Sequence, residues 1–420
     1  MAKVSFIFMP VKLTNVYLKY ITKSISLQLK KNLPLKIRIK MDFSLSEEHL
    51  MIKDAARNFA QTELLPGVIE RDNKQEFAQE LVKKMGNLGF MGIMVDPKYG
   101  GSGMDAISYV LIMEELSKID ASASVMVSVN NSLVCYGLEA YGTEKQKQKY
   151  LTKLASGEHI GAFCLSEPEA GSDATSQATT AIDKGDHYLI NGTKNWITNG
   201  GRSDVYLVIA QTNKEKGSRG INAFIVEKGT PGFHIGPKED KLGIRGSDTH
   251  TLQFNDVKIP KENRIGEDGF GFTFAMKTLS GGRIGIAAQA LGIAAGAYEL
   301  ALKYAKERKA FGTEICNHQA IAFKLADMHT EIEAARMLVY KAAWDKDQGN
   351  NFDTSSAMAK LYASKVAMEH TVEAVQIHGG NGFVKDYHVE RLMRDAKITQ
   401  IYEGTSEIQK IVISRSIIKG

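Results

Sequence analysis

The apolar positions of this chain change period twice. From residue 45, Leu50, Ile52, Ala55, Ala56 and Phe59 recur at helical spacing behind Ser46-Glu47-Glu48. Helical patterning broken by Gly and Pro continues to about residue 157, which predicts an all-helical domain over 41–159. The period then shortens. Residues 206–210, 223–226 and 249–257 are short runs of β formers, and Asn191-Gly192 carries the signal of a two-residue hairpin turn, so a small antiparallel β domain is expected over 160–270. From Arg283 onward Ile286, Ala290, Ile293, Ala297, Leu300 and Tyr304 return to helical spacing. Further helices near 320–346 and 355–377 should complete a four-helix bundle over 271–420. The fold class is α+β multidomain: an N-terminal all-α domain, a middle antiparallel β domain and a C-terminal four-helix bundle.

Composition changes this picture little. A chain of 420 residues, 43% hydrophobic and 24% charged, suits a soluble protein of two or three domains and names no activity. Cys135, Cys164 and Cys316 lack Cys-x-x-Cys spacing and cannot build a disulfide framework, which suggests a reducing compartment and no structural metal. No apolar run reaches the roughly 20 residues of a membrane span, so none is expected. The net charge of +5 is carried by residues 1–40, whose eight Lys and one Arg meet no acid; the other 380 residues have a net charge of −4. A nucleic-acid partner is therefore not expected. The basic leader reads either as an organellar presequence, although it holds only Arg38, or as a mis-called extension before Met41-Asp42-Phe43.

The candidate chemistry lies near the C-terminus. In Ile401-Tyr402-Glu403-Gly404-Thr405-Ser406-Glu407-Ile408-Gln409 a carboxylate sits in a turn just before an apolar-periodic helix. Gly404 lets backbone approach a ligand closely, and Thr405 or Ser406 can cap the helix; the same string also reads as a plain capping box. No Gly-x-Gly-x-x-Gly follows a strand, and Gly100-Gly101-Ser102-Gly103 follows Pro97 within helical sequence, which disfavours a Rossmann nucleotide site.

Seven ordered segments from about Met41 to Lys419 resemble the acyl-CoA dehydrogenase family. Phe163-Cys164-Leu165-Ser166-Glu167-Pro168 with Ala170-Gly171-Ser172-Asp173 is similar to its first flavin segment, and Asn195-Trp196-Ile197-Thr198-Asn199 to its second. Arg308-Lys309-Ala310-Phe311-Gly312, His318-Gln319, Gln376-Ile377-His378-Gly379-Gly380 and Arg394-Asp395-Ala396-Lys397 extend the match. The stretches 128–133 and 238–247 are similar to the short-chain, butyryl-CoA-like branch in particular.

This resemblance implies FAD between the β domain and the bundle. Phe163, Cys164, Leu165, Ser166, Gly171, Ser172, Trp196, Ile197 and Thr198 would meet the flavin, with hydroxyls from Ser166 and Thr198 at the ring edge and Trp196 over one face. Trp196 also reads as an ordinary core aromatic. Arg308 and Gln319 would reach the pyrophosphate and adenosine of a neighbouring subunit's cofactor, where a guanidinium fork suits a pyrophosphate, and Phe311 and His318 belong to the implied cofactor set as well; Arg308 also reads as a helix-terminal surface ion pair. Gln376, Ile377, Gly379, Gly380, Thr405 and Glu407 complete the implied cofactor set, with Gly379-Gly380 equally legible as a helix C-cap. Glu403 would be the base that takes the α-proton of an acyl thioester while the flavin accepts the β-hydride. Ser172, Ser280, Arg283 and Gly404 would contact the acyl-CoA.

Two positions mark branches within the family. Where some branches carry the base directly before the arginine, this chain has Gly282; where the short-chain branch usually has Asp three residues before it, this chain has Ser280. The implied activity is short-chain acyl-CoA dehydrogenation. Its implied partners are acyl-CoA and electron transfer flavoprotein, its assembly a homotetramer built as a dimer of dimers, and its location the bacterial cytoplasm, or the mitochondrial matrix if residues 1–40 are a presequence. The alternatives are an oxidase-like or desulfinase-like relative, or a flavin-free interaction protein on the same fold.

Overall fold

The computed structural model describes residues 43–419; the basic leader and the readings made of it lie outside the described residues. Helices come first. After α1 (Glu47–Phe59), the central helices of the first region are α2 (Ala106–Ser117) and α3 (Ala121–Ser128), capped by Asp105 and Asp120, whose carboxylates accept from backbone N–H groups of the first turns. α2 is buried nearly all round, which its sequence AISYVLIMEELS permits because Glu114 meets Arg336 at 2.8 Å and Glu115 meets Arg57 at 3.1 Å. Burial alone would raise the Glu114 pKa; the Arg336 charge outweighs it and holds the carboxyl below its ordinary range.

The sheet follows. Its strands are β1 (Gly161–Cys164), β2 (Thr180–Asp183), β3 (His187–Thr198), β4 (Val205–Gln211), β5 (Ile221–Glu227), β6 (Phe233–Lys238), β7 (Thr249–Pro260) and β8 (Arg264–Ile265). They run in the order β6-β7-β3-β2-β4-β5-β8, with β1 beside β4. Two sequence expectations are corrected here. The sheet is mixed, since β1 and β2 both pair with β4 in parallel. Asn191-Gly192 is no hairpin turn but lies inside β3 at a register shift against β7. Asn191 exchanges hydrogen bonds with Asp256 across that bulge (2.9 and 2.8 Å), while Gly192, at φ 149°, lies against Thr179 where a Cβ would collide.

The last region is helical again: α4 (Gly271–Glu307), α5 (Gln319–Asp347), α6 (Asp353–His378), α7 (His388–Ile398) and α8 (Ser406–Lys419). α4 begins well before Arg283 and, at 37 residues, runs for about 55 Å. It packs against α2, α5 and α6, and its many Ala and Gly residues allow that close approach. α4 also corrects the reading that no apolar run reaches membrane-span length. Among the described residues it is the one helix long and apolar enough, and 83% of its most apolar stretch is buried inside the molecule, so core packing accounts for its composition.

Candidate active site

A cleft of about 470 Å³ opens between the sheet, the middle of α4 and the loop before α8. Phe163, Leu165, Ser166, Gly171, Ser172, Trp196, Ile197, Thr198, Arg283, Glu403 and Gly404 all line it, so residues spread over 240 positions meet in one place. Its volume is that of a small-molecule site. Val125, Val129, Leu133, Phe272, Met276 and Leu279 give it apolar walls.

The two sheet segments are held by a device that sequence reasoning missed. Lys194, fully buried, donates to Glu167 at 2.6 Å, to Gln177 at 2.5 Å and to the Leu165 carbonyl at 3.1 Å. Glu167 in turn accepts from the Ala178 and Thr179 amides, and the Asn195 N–H donates to the Ser166 carbonyl. Burial would raise the Glu167 pKa, but Lys194 and these amides outweigh it and hold the carboxyl below its ordinary range. The first segment is thereby tied to the second. Next to this tie β3 slips register between Lys194 and Ile197, and Trp196 takes a left-handed conformation (φ 57°) with 58% of its surface exposed. A large aromatic held outward in such backbone is strained and unburied, unlike a core aromatic.

Glu403 also stands in left-handed backbone (φ 55°), followed by Gly404 at φ 91°. For a glutamate this costs roughly 1–2 kcal/mol. Its Oε2 is buried without a hydrogen-bond partner among the described residues, and its N–H is likewise unpartnered there. Burial pushes the Glu403 pKa up to about 7, against the opposing charges of Arg283 and Lys360. Thr405 performs the capping expected of it, its hydroxyl accepting from the Ile408 N–H at 3.4 Å.

Arg283, also buried, has its Nε unpartnered, and its Nη1 approaches the Ser280 hydroxyl at 3.5 Å. Ser280 donates to Asp353 Oδ1 at 2.6 Å. A carboxylate thus stands beside position 280, contributed from the first turn of α6. Nothing in the spacing of Asp353 signals this.

The remaining candidate residues lie elsewhere. The Cys164 side chain is buried in the core of the sheet among Tyr206, Val208 and Leu252, which leaves only its backbone for the cleft. Thr405 and Glu407 line a separate groove of about 710 Å³ with Lys365, Lys397 and Lys410. Gln376, Ile377, Gly379 and Gly380 mark the C-terminal end of α6 and the turn after it, where Gly379 holds φ 57°. Arg308, Phe311, His318 and Gln319 form the corner between α4 and α5, with Phe311 98% exposed and His318 bonded to the Ala310 carbonyl. This corner is 25 residues of helix beyond Arg283, about 37 Å. None of these residues lines the cleft of the same chain.

The cleft suits a planar, hydrogen-bonding ring. The Ser166 and Thr198 hydroxyls make no hydrogen bond among the described residues, Trp196 offers an exposed indole beside them, and a Cβ on Gly171 would meet open space.

Three family models match in order along the chain: acyl-CoA dehydrogenase, N-terminal domain, over residues 46–158; its middle domain over 162–257; and its C-terminal domain over 269–418. The short-chain specific acyl-CoA dehydrogenase of Clostridium acetobutylicum is 53% identical over 379 residues, 90% of this chain and 100% of its own. The caffeyl-CoA reductase-Etf complex subunit CarC of Acetobacterium woodii is 48% identical over 375 residues, 89% of this chain and 99% of its own. The solved structure of butyryl-CoA dehydrogenase from Megasphaera elsdenii matches with a TM-score of 0.89 at 50% identity, covering 90% of this chain and 100% of the other.

Proposed function

This chain belongs to the acyl-CoA dehydrogenase family, an oxidoreductase family, and we propose that it binds FAD in the cleft and dehydrogenates short-chain acyl-CoA to the trans-2-enoyl thioester, with Glu403 as base. The observation that carries this reading is the unpartnered Glu403 Oε2 in an apolar cleft rimmed by Ser166, Thr198 and Trp196. FAD, when bound, supplies the acceptor for the β-hydride.

The chain's residues do the rest. Glu403 takes the α-proton onto its carboxylate, and its pKa of about 7 makes it a far better base than an ordinary glutamate while still ionised in useful amount near neutrality. Its unpartnered N–H can donate to the thioester oxygen as enolate charge develops there. Arg283, without a carboxylate of its own in direct contact, balances that charge and the ionised base. The apolar wall from Val125 to Leu133 excludes water during proton transfer.

Electron transfer flavoprotein is the proposed redox partner, supported by the relative named as a subunit of an Etf complex. That relative is named a reductase, and a base near pKa 7 serves equally as the acid that protonates the α-carbon of an enoyl thioester. The reverse reaction is therefore the second reading. The Arg308 corner, too far along α4 to serve its own cleft, supports an oligomer in which each chain completes a neighbour's cofactor site.

The test is direct. The purified protein should show a flavin spectrum and be bleached by butyryl-CoA, whereas Glu403→Gln should keep the flavin and lose bleaching. A colourless protein, or bleaching by the Gln variant at the wild-type rate, would overturn the proposal.

A further inference from the structure

Two buried side chains outside the loop grip the backbone that carries Glu403. Lys360, on α6 and 0% exposed, donates from Nζ to the Gly404 carbonyl at 2.7 Å. Gln409, in the second turn of α8 and also 0% exposed, donates from Nε2 to the same carbonyl at 2.8 Å and to the Glu403 carbonyl at 3.1 Å. An ammonium taken out of water normally faces a carboxylate. This one makes its hydrogen bond to a backbone oxygen, and that oxygen belongs to the residue after the base.

We propose that Lys360 and Gln409 are the positioning residues of Glu403, a clamp on the carbonyls of residues 403 and 404 that holds two successive left-handed residues and so fixes the carboxylate over Gly282. The proposal rests on Glu403 as base and adds which residues aim it. Left-handed backbone at a glutamate persists only where the surroundings impose it, and these are the side chains that do so from two different helices. Lys360 has a second effect, because its charge favours the ionised carboxylate. The charged and titratable groups facing this pair are Arg283 from α4, Tyr109 from α2, Tyr402 on the same loop and Glu407 at the start of α8. Burial brings the Lys360 pKa down to about 7, and the charge of Glu403 opposes that fall, so ionising the base strengthens the ammonium's hold on its proton.

The experiment compares Lys360→Met, Lys360→Arg and Gln409→Met with the wild-type holoenzyme, following kcat and KM for butyryl-CoA against pH. Infrared difference titration referenced to Glu403→Gln reads the protonation of Glu403 without turnover. All three variants should lose kcat by tenfold or more, toward the hundredfold that a 1 Å misplacement costs, with smaller changes in KM. Only Lys360→Met should also move the Glu403 midpoint upward, since Arg keeps the charge and Gln409 never carried one. A purely structural role would change thermal stability and leave that midpoint alone. Wild-type kcat in Lys360→Met and Gln409→Met, or an unmoved midpoint in Lys360→Met, overturns the clamp. Should Lys360→Met fail to fold, wild-type kcat in Lys360→Arg and Gln409→Met does the same. If Glu403→Gln itself turns over, the base assignment fails instead, whatever the clamp variants show.

Discussion

The Oε2 atom of Glu403 occupies the space that a Cβ on Gly282 would fill. The base from the loop before α8 and the helix position that carries the base in other branches therefore address one point from opposite sides. Gly282→Ala should fold, because the added Cβ meets only the far ends of two flexible side chains, Glu403 and Leu133, yet it pushes the carboxylate off its place. We expect kcat to fall on the order of 10²-fold with flavin content and melting temperature nearly unchanged. Wild-type kcat in this variant would mean that Glu403 works from another rotamer.

Glu403→Gln should cost about 10² to 10⁴-fold in kcat, the usual contribution of a positioned general base. It should also change stability in a pH-dependent way. The folded pKa of about 7 lies above the ordinary 4.5, so between those values the unfolded chain ionises first and folded stability falls as pH rises. The amide has no such loss. Calorimetry at pH 4 and pH 8 should show the variant equal to wild type at the lower pH and more stable at the higher, by on the order of 1–3 kcal/mol; no difference at pH 8 would mean the carboxyl is not raised.

The same shift sets the activity profile. Only the ionised carboxylate accepts a proton, so kcat/KM for dehydrogenation should rise with pH through a midpoint near 7 and level above it. A midpoint below 5.5 in the free enzyme would contradict the burial of Glu403.

Asp353 should matter through Ser280 and Arg283. Removing it in Asp353→Ala leaves the Ser280 hydroxyl only the Met276 carbonyl at 3.3 Å and takes the carboxylate away from Arg283, and KM for butyryl-CoA should rise about tenfold, or ~1.4 kcal/mol. Adding Ser280→Asp to that variant returns a carboxylate to α4 and should restore KM. A KM within twofold of wild type in the single variant would remove the pair from substrate binding.

Arg308→Ala tests the assembly. If the corner completes a neighbour's cofactor site, flavin binding and oligomerisation are linked, and the variant should lose flavin on dilution and dissociate at lower temperature than wild type. Light scattering decides it: a stable, flavin-loaded wild-type monomer rules out the shared site.

The helix, sheet, helix order was legible because each region has its own hydrophobic period, and even the buried α4 kept its three-and-four spacing. Asn191-Gly192 misled because a hairpin signal and a bulge glycine need the same backbone freedom, and only the Asp256 partner across the sheet decides between them. The cleft residues could be named from their resemblance, while their convergence needed the fold. Lys194, Lys360, Gln409 and Asp353 were not legible: each acts on a partner at least five positions away in sequence, through a contact that leaves no local pattern.

The molecule holds two tryptophans, Trp196 at the cleft rim and Trp344 on α5, 58% and 49% exposed. Replacing Trp344 by Phe leaves a chain whose entire indole emission comes from the lip of the cleft. Such a variant is its own optical gauge: a flavin seated beside that ring quenches it, a thioester entering below changes its polarity, and each event reads out in a stopped-flow trace with no label added.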